Sequence, residues 1–241
     1  MTFGVLADIH GNFDAMRTAM TRHPDVPFWL CVGDVASRSG AYPEPPAPLY
    51  WIKGNNENFE RIAAFEAGTL TIPNLHYLPN GRAASVGPLT VAALGGTYAP
   101  TWFDLAPFDL PYPGHVPPAA AVRARSRIAD DKRRHFVRAE VEALGRLKNV
   151  DVLLTHEAPR PFPVEAGPPA SGRRHDAGKT PINQVLAAMQ PRLHLCGHHH
   201  RFSAGLRQGV PSVCVDRVSR SYLLVDAATL EWRKVDVPQA A

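Results

Sequence analysis

Five short polar motifs constrain the fold of this chain more than any other feature, because each follows directly on an apolar, strand-like run. In chain order they are Asp8-Ile9-His10, Gly33-Asp34, Gly54-Asn55-Asn56-Glu57, Thr155-His156 and Gly197-His198-His199-His200. A single motif of this kind is an ordinary strand end that runs into a turn. Together the motifs place metal-binding side chains at the ends of five predicted strands, namely Asp8, His10, Asp34, Asn55, His156, His198 and His200.

The sequence between the motifs predicts an α/β fold with a mixed sheet. Apolar runs predict strands at residues 3–7, 28–32, 49–53, 151–154, 193–196, 210–215, 222–226 and 230–237. Amphipathic segments predict helices at residues 12–20, 57–67 and 181–189. The first strands and helices alternate through short connections, and this order favours a largely parallel sheet.

Two further patterns lead to more specific expectations. Short apolar runs at 75–78, 83–86 and 89–94 are separated by Pro-Asn-Gly and Gly-Pro turns, and we expect them to be antiparallel strands. Residues 119–147 have helical periodicity with a strongly basic face, which predicts one long helix.

The motifs are expected to converge, because the carboxyl ends of parallel strands lie along one edge of a sheet, where ligand crevices form. Asp8 and His10 are two residues apart, so both side chains can face the same side. Mixed carboxylate, amide and imidazole ligands suit Mn²⁺, Fe²⁺ or Zn²⁺ better than Ca²⁺. Seven such ligands are too many for one tetrahedral ion, and they suit two ions about 3.5 to 4 Å apart with a shared carboxylate.

Composition narrows the class of protein. The 241 residues suffice for one domain with a large core, and we expect a single domain over residues 1–241. No apolar run is long enough to span a bilayer, and the N-terminus lacks a signal-peptide pattern, so we expect a cytoplasmic protein that is not bound to a membrane. The three cysteines are expected to be buried free thiols. A net charge of +4 permits an anionic substrate without demanding one.

The five motifs, in this order, resemble those of the calcineurin-like metallophosphoesterase superfamily, whose pattern is D-x-H, G-D, G-N-H-[DE], H and G-H-x-H. The resemblance extends from residue 5 to residue 200. It implies a four-layer α/β/β/α sandwich, in which two mixed sheets are flanked by helices and a dinuclear metal site lies at one rim. It also implies that the chain is a metal-dependent phosphoester hydrolase.

The resemblance further implies which residues hold each ion. The first ion would be held by Asp8, His10, Asp34 and His200. The second would be held by Asp34, as the bridging ligand, with Asn55, His156 and His198. A hydroxide between the two ions would then attack phosphorus in line. We expect Mn²⁺ as the metal, with Fe²⁺ or Zn²⁺ as alternatives.

One departure from the family pattern affects the mechanism. The family usually has His after the metal-binding Asn, where it is taken to protonate the leaving oxygen, and this chain has Asn56. An amide donates hydrogen bonds but has no proton to transfer near neutral pH. Other candidates for the acid are His199 and Glu57. Candidate residues for orienting the substrate phosphate are Arg38, Tyr98 and Arg160.

Within the superfamily the sequence looks most similar to RNA lariat debranching enzymes and their bacterial relatives, on the stretches at residues 74–78, 95–98 and 156–160. This favours a phosphodiesterase acting on a nucleotide or nucleic-acid linkage. A phosphomonoesterase, including a protein Ser/Thr phosphatase, is an alternative because residues 8–12 resemble that branch too. A non-catalytic binding module is a second alternative, although it predicts eroded ligands and all seven positions are filled here. The oligomeric state stays open.

Overall fold

The computed structural model describes residues 1–105, 130–163 and 178–238, and within these residues it contains twelve strands. The first six strands are β1 (Thr2–Leu6), β2 (Trp29–Cys31), β3 (Leu49–Trp51), β4 (Leu75–Tyr77), β5 (Arg82–Val86) and β6 (Leu89–Leu94). The other six are β7 (Val152–Thr155), β8 (Leu193–Cys196), β9 (Ser203–Arg207), β10 (Val210–Cys214), β11 (Ser221–Asp226) and β12 (Trp232–Asp236). One sheet has the order β12-β11-β1-β2-β3-β4, and the other has the order β5-β6-β7-β8-β10-β9.

Helices in the described residues are α1 (Phe13–Thr21), α2 (Phe59–Glu66), α3 (Pro100–Phe103), α4 (Arg138–Gly145) and α5 (Thr180–Met189). Residues 130–133 are also helical. The first two helices begin at asparagine caps: the side chains of Asn12 and Asn58 accept hydrogen bonds from backbone amides three residues later. None of the helices described is long and apolar enough to cross a membrane.

The core divides into layers that confirm the four-layer sandwich. Between the two sheets, Val5 and Leu30 of the first sheet belong to one buried cluster with Leu154 of the second. The outer face of the first sheet is covered by the helices α1 and α2, through a cluster that includes Met16, Ile62, Trp29 and Trp51. The outer face of the second sheet is covered by α4 and α5, through a cluster that includes Val141, Leu153 and Leu186. Both sheets therefore bury two faces.

The strand directions bring the motifs to one rim. In the first sheet, β1, β2 and β3 are parallel neighbours, and in the second, β7 and β8 are parallel neighbours. The five motifs follow the carboxyl ends of these five strands. The three cysteines are buried and free, as the sequence predicted.

The structure corrects two strand predictions. β4 was expected to be antiparallel, but it pairs in parallel with β3. The helix α2 lies between these two strands in the chain, and such a crossover returns the chain in the same direction. Only β5 and β6, among the three short runs, form an antiparallel pair with each other. β9 was not predicted, because its sequence Ser-Ala-Gly-Leu-Arg has little apolar alternation.

The predicted long helix at 119–147 is also corrected. Residues 119–129 lie outside the described residues, and the helical turn at 130–133 is separated from α4. Between them the chain is tied to another loop, since the Thr97 amide donates to the Arg134 carbonyl (3.0 Å) and the Phe136 amide donates to the Thr97 carbonyl (3.0 Å). α4 then starts anew, with the Glu140 carboxylate accepting from the Val137 amide (2.9 Å). A tertiary contact thus overrides the helical periodicity.

His194 on β8 gives the fold a predictable sensitivity to acid. Its ring is fully buried, Nε2 lies 2.8 Å from Thr155 Oγ1 and Nδ1 lies 3.1 Å from Ser212 Oγ. Burial lowers the pKa of His194 to about 3. In the unfolded chain the pKa returns to about 6.5, so only the unfolded state takes up this proton as the pH falls from 6.5 towards 3. The contribution of neutral His194 to stability is therefore complete above pH 6.5 and declines below it.

We expect His194 alone to lower the free energy of unfolding by about 2 kcal/mol between pH 7 and pH 5. Urea unfolding of chelator-treated protein at the two pH values measures the effect, and the His194→Gln variant should show a smaller pH dependence by that amount. An identical pH dependence in the wild type and in His194→Gln would show that His194 does not carry this effect.

Candidate metal centre

The backbone at the rim is held in an unusual conformation. Five of the candidate ligands have positive φ, at 48° for Asp8, 48° for His10, 55° for Asp34, 68° for His198 and 50° for His200. This region is disfavoured for residues other than glycine by about 1 to 2 kcal/mol each. Hydrogen bonds across the loops hold it, since the Asp8 amide donates to the Gly33 carbonyl (3.1 Å) and the His10 amide donates to the Asp34 carbonyl (2.7 Å). Strain concentrated in this way is characteristic of functional sites.

Asp34 lies at the middle of the site. Its Oδ2 atom is 3.5 Å from Nε2 of His10 and 3.5 Å from Nε2 of His156, so one carboxylate oxygen lies close to two imidazoles. Asn56 fixes the carboxylate, because its backbone amide donates to Oδ1 (2.7 Å) and its side-chain amide donates to Oδ2 (2.8 Å). Gly54 packs directly against the same carboxylate, and a Cβ there would lie 1.9 Å from Oδ1.

Asp8, His10 and His200 form one group of ligand atoms that all lie within 4.8 Å of one another. Asp8 Oδ1 lies 3.4 Å from His200 Nε2 and 3.8 Å from His10 Nε2. The two imidazole Nε2 atoms lie 2.9 Å apart. The second oxygen of Asp8 accepts a hydrogen bond from the His198 amide (2.9 Å), which sets the orientation of the carboxylate.

Asp8, Asp34 and His156 form a second group by the same distance measure. His156 Nδ1 lies 2.8 Å from the Val32 carbonyl oxygen, so Nδ1 carries the donating proton and Nε2 points into the site. Asn55 Oδ1 lies 3.0 Å from that Nε2 atom. His198 belongs to neither group: its ring centroid lies 5.0 Å from that of His156, and its Nε2 lies 4.0 Å from Glu157 Oε1.

The residues present fit divalent cations. Asp8 Oδ1 is buried and has no hydrogen-bond partner in the described part of the chain. Leaving a buried carboxylate oxygen without a partner is costly, and a cation would satisfy it. The oxygens of Asp8, Asp34 and Asn55 together with imidazole nitrogens form the mixed donor set that borderline divalent metals prefer.

Asp34 and His156 each stabilise the charged form of the other. Burial opposes ionisation of Asp34, but the His156 imidazole and the two Asn56 donors outweigh it and hold the pKa of Asp34 below its usual value. Burial likewise opposes protonation of His156, but the charge of Asp34 and then that of Asp8 raise its pKa. Binding a cation at Nε2 of His156 requires this proton to leave, so metal affinity is expected to rise with pH.

Two predicted catalytic residues have well-defined surroundings. Asn56 donates its backbone N–H and one side-chain N–H to Asp34, and it therefore helps to orient that carboxylate. His199 stacks on Phe162, with ring centroids 4.0 Å apart and the planes inclined by 12°. Burial, and then the charge of His198, lowers the pKa of His199 to about 4.

The three predicted substrate-binding residues are not brought together. Arg38 lines an open cavity next to His10 and His200. Tyr98 packs its ring against Phe103, with centroids 5.1 Å apart, and Arg160 is tied by its backbone to the Asn183 side chain (2.8 and 2.6 Å). Neither Tyr98 nor Arg160 is among the described residues that line this cavity. A substrate role for these two residues stays a prediction.

Glu57 supports the site in a way that sequence reasoning missed. It accepts hydrogen bonds from the amides of Val35 (3.0 Å), Ala36 (3.1 Å) and Gly54 (3.2 Å) and from the Tyr42 hydroxyl (2.9 Å). It thereby joins the loops that follow β2 and β3. Burial, and then the charge of Asp34, raises the pKa of Glu57 to about 7. Both of its carboxylate oxygens accept hydrogen bonds from the protein, and this fits a structural role better than that of a free acid.

Glu157 is a second supporting carboxylate that was missed. It accepts from the Tyr98 amide (2.6 Å) and lies 3.6 Å from Lys179 Nζ. The position of both glutamates in the sequence could have revealed them. Glu57 is two residues after the candidate ligand Asn55, and Glu157 directly follows the candidate ligand His156.

The two-sheet sandwich with flanking helices matches the metallophosphoesterase fold. The chain belongs to the calcineurin-like phosphoesterase family, whose sequence model matches residues 1–202. It is therefore a hydrolytic enzyme of a family that uses divalent metal ions. No curated protein sequence matches the chain.

Solved structures support the fold over nearly the whole chain. One superimposes with a TM-score of 0.66 at 12% identity, covering 98% of this chain and 99% of that one. The protein TT1561 of Thermus thermophilus has a TM-score of 0.59 at 14% identity, covering 98% and 99%. A novel archaeal phosphodiesterase has a TM-score of 0.52 at 12% identity, covering 98% and 100%. At these identities the similarity establishes the fold.

Proposed function

We propose that this enzyme is a phosphodiesterase that acts on a nucleotide or nucleic-acid linkage with two divalent cations. The observation that supports the dinuclear proposal is the position of Asp34 Oδ2, which lies 3.5 Å from Nε2 of His10 and 3.5 Å from Nε2 of His156. We expect Mn²⁺, with Fe²⁺ and Zn²⁺ as alternatives, because the donor set mixes oxygen with imidazole nitrogen. We further propose that residues 1–241 form one domain and that the protein is cytoplasmic.

The roles that we propose for the residues are those that the family resemblance implies. Asp8, His10, Asp34 and His200 would hold one cation, and Asp34, Asn55, His156 and His198 would hold the other. When bound, such a pair supplies Lewis acidity that neutralises phosphate charge and acidifies water. Asn56 holds the shared carboxylate in place. The Val32 carbonyl fixes the tautomer of His156.

The experiment that tests this function compares two chromogenic esters in the presence of Mn²⁺. For a phosphodiesterase, kcat/KM for bis-nitrophenyl phosphate should exceed that for nitrophenyl phosphate. The reverse order would favour a phosphomonoesterase or a protein phosphatase. Absence of turnover of both esters, together with fewer than one bound ion per chain, would favour a non-catalytic binding module.

Asn56 leads to a prediction about the leaving group. Its side-chain amide donates a hydrogen bond to Asp34 Oδ2 and has no proton to transfer near neutral pH. We therefore propose that the enzyme favours leaving groups that need little protonation. The Asn56→His variant should raise kcat/KM for an alkyl phosphodiester relative to a nitrophenyl diester by about 10-fold, because an imidazole can protonate an alkoxide.

The matched control is Asn56→Ala, which loses the same hydrogen bond to Asp34 without gaining an acid. We expect Asn56→Ala to be slower on both esters with the ratio of their rates unchanged. Equal effects of Asn56→His on alkyl and nitrophenyl esters would contradict the proposal. The His199→Gln variant tests the remaining candidate acid, and it should slow alkyl esters more than nitrophenyl esters if His199 donates the proton.

A further inference from the structure

An open cavity of about 880 Å³ adjoins the candidate metal ligands. His10, His200 and Asn55 line it on the side of the metal centre. Its other walls carry Arg134, which precedes α4, and Arg217, which lies between β10 and β11. A cavity of this size accommodates a whole nucleotide rather than a single phosphate group. The cavity therefore extends the site beyond the reacting phosphorus.

Arg134 is held at the cavity wall by its backbone and by its side chain. Its carbonyl accepts from the Thr97 amide (3.0 Å), and Gly96 allows the two segments to approach, since a Cβ at Gly96 would lie 2.5 Å from the Arg134 carbonyl oxygen. The guanidinium carbon lies 5.8 Å from the centre of the Phe59 ring, which also lines the cavity. These contacts restrict the positions available to the guanidinium before any ligand binds.

Arg217 is held in place by backbone hydrogen bonds at the end of β1 and the start of β11. The next residue, Val218, donates its amide to the Ala7 carbonyl (2.9 Å) at the end of β1, directly before the ligand Asp8. The Arg217 carbonyl accepts from the Ser221 amide (3.2 Å), which closes a turn at the start of β11. Arg217 is thus attached to the strand end that carries the metal site.

Each of these two guanidiniums has a buried donor that the described part of the chain leaves unsatisfied. The Nε atoms of Arg134 and Arg217 are buried and have no hydrogen-bond partner there. Glu60 and Asp130 also line the cavity, but among the described residues neither lies within ion-pair distance of these two arginines. Arginine binds phosphate through two parallel N–H groups, and a buried donor without a partner is costly. Because both arginines line one cavity, their positive charges favour an anionic ligand there.

We propose that Arg134 and Arg217 bind a second, non-reacting phosphate of the substrate. The substrate class is then a phosphodiester that carries a further phosphate group, such as a nucleotide ester phosphorylated at another position of the sugar. This inference rests on the proposed function, because it assumes that the reacting phosphate lies at the metal ligands. It goes beyond that function by naming what the rest of the cavity recognises.

A matched pair of substrates tests the proposal, namely the nitrophenyl ester of thymidine 5′-phosphate with and without a 3′-phosphate. Both present the same bond for hydrolysis in the presence of Mn²⁺. The wild type should prefer the 3′-phosphorylated ester by at least about 10-fold in kcat/KM, and Arg134→Gln and Arg217→Gln should each remove most of that preference. Their kcat/KM for the ester without the 3′-phosphate should stay within about 2-fold of the wild type.

The Arg233→Gln variant is the control, since it removes the same charge from an exposed position on β12, and it should keep the preference. Equal kcat/KM for both esters in the wild type, or equal losses on both esters in the variants, would overturn the inference while leaving the phosphodiesterase proposal intact. Absence of turnover of either ester would instead count against the proposed function.

If neither ester is turned over, nucleotide binding to chelator-treated protein still tests the second phosphate site. Calorimetry should show that thymidine 3′,5′-bisphosphate binds the wild type more tightly than thymidine 5′-phosphate by about 10-fold, with the difference lost in the Arg134→Gln, Arg217→Gln double variant. Equal affinities for the two nucleotides in the wild type would contradict a second phosphate site.

Discussion

Replacing Asp34 by asparagine is expected to lower kcat/KM on the order of 10³-fold or more and to reduce the bound metal from two ions to one or fewer. The substitution preserves shape but removes the negative charge whose Oδ2 atom lies 3.5 Å from both His10 and His156. A neutral amide cannot bridge two cations as a carboxylate does. Metal content by elemental analysis and steady-state kinetics on a nitrophenyl diester measure both effects.

Asp14→Asn is the matched control for this prediction. Asp14 lies on α1 with a side chain that is 92% exposed, so the same chemical change there should leave metal content and kcat/KM unchanged. Two bound ions and near-wild-type rates in Asp34→Asn would show that Asp34 is not the shared ligand. A loss of folding in Asp34→Asn, detected by circular dichroism, would show that the carboxylate acts on the fold rather than on metal binding.

Gly54→Ala is expected to be nearly as damaging, although no ligand is removed. A Cβ at Gly54 would lie 1.9 Å from Asp34 Oδ1 and 2.4 Å from the Asp34 backbone nitrogen. The backbone nitrogen cannot move aside as a flexible side chain does, so the loop that carries Asp34 must shift. Since displacements of about 1 Å at a reacting centre cost about 100-fold, we expect kcat/KM to fall by at least that factor. The melting temperature should also fall, because overpacking destabilises by about 1 to 3 kcal/mol.

Gly145→Ala provides the comparison for Gly54→Ala. The nearest atom to a Cβ at Gly145, the last residue of α4, is the Ala188 Cβ at 3.4 Å, so an added methyl group fits. This variant should keep wild-type kinetics and metal content. Gly54→Ala enzyme that binds two ions and turns over at the wild-type rate would contradict the close packing of Gly54 on Asp34.

Much of the site could be predicted because its information is local in the sequence. Asp8, Asp34, Asn55 and His156 each follow an apolar run, and a short run next to a polar turn is visible without knowledge of the fold. The convergence of these ends then follows from the parallel order of β1, β2 and β3, which the short connections favour. The matched family pattern supplied the four-layer arrangement, which strand counting alone did not.

The features that could not be predicted depend on contacts between distant segments. The break before α4 arises because Thr97 pairs with the backbone on either side of His135. The commitment of Asn56 to Asp34 requires two loops, 22 residues apart in the chain, to pack side by side. Arg134 and Arg217 meet at one cavity only after both sheets are assembled. No periodicity or motif in the sequence indicates such long-range contacts, so only the folded structure reveals them.

The most direct test of the account is the crystal structure of the protein grown with Mn²⁺, in which anomalous scattering locates the ions. We expect two peaks about 3.5 to 4 Å apart, both bound by the Asp34 carboxylate, one also bound by His10 and the other by His156. A single peak, or two peaks of which only one contacts Asp34, would contradict the shared carboxylate on which the proposed chemistry depends.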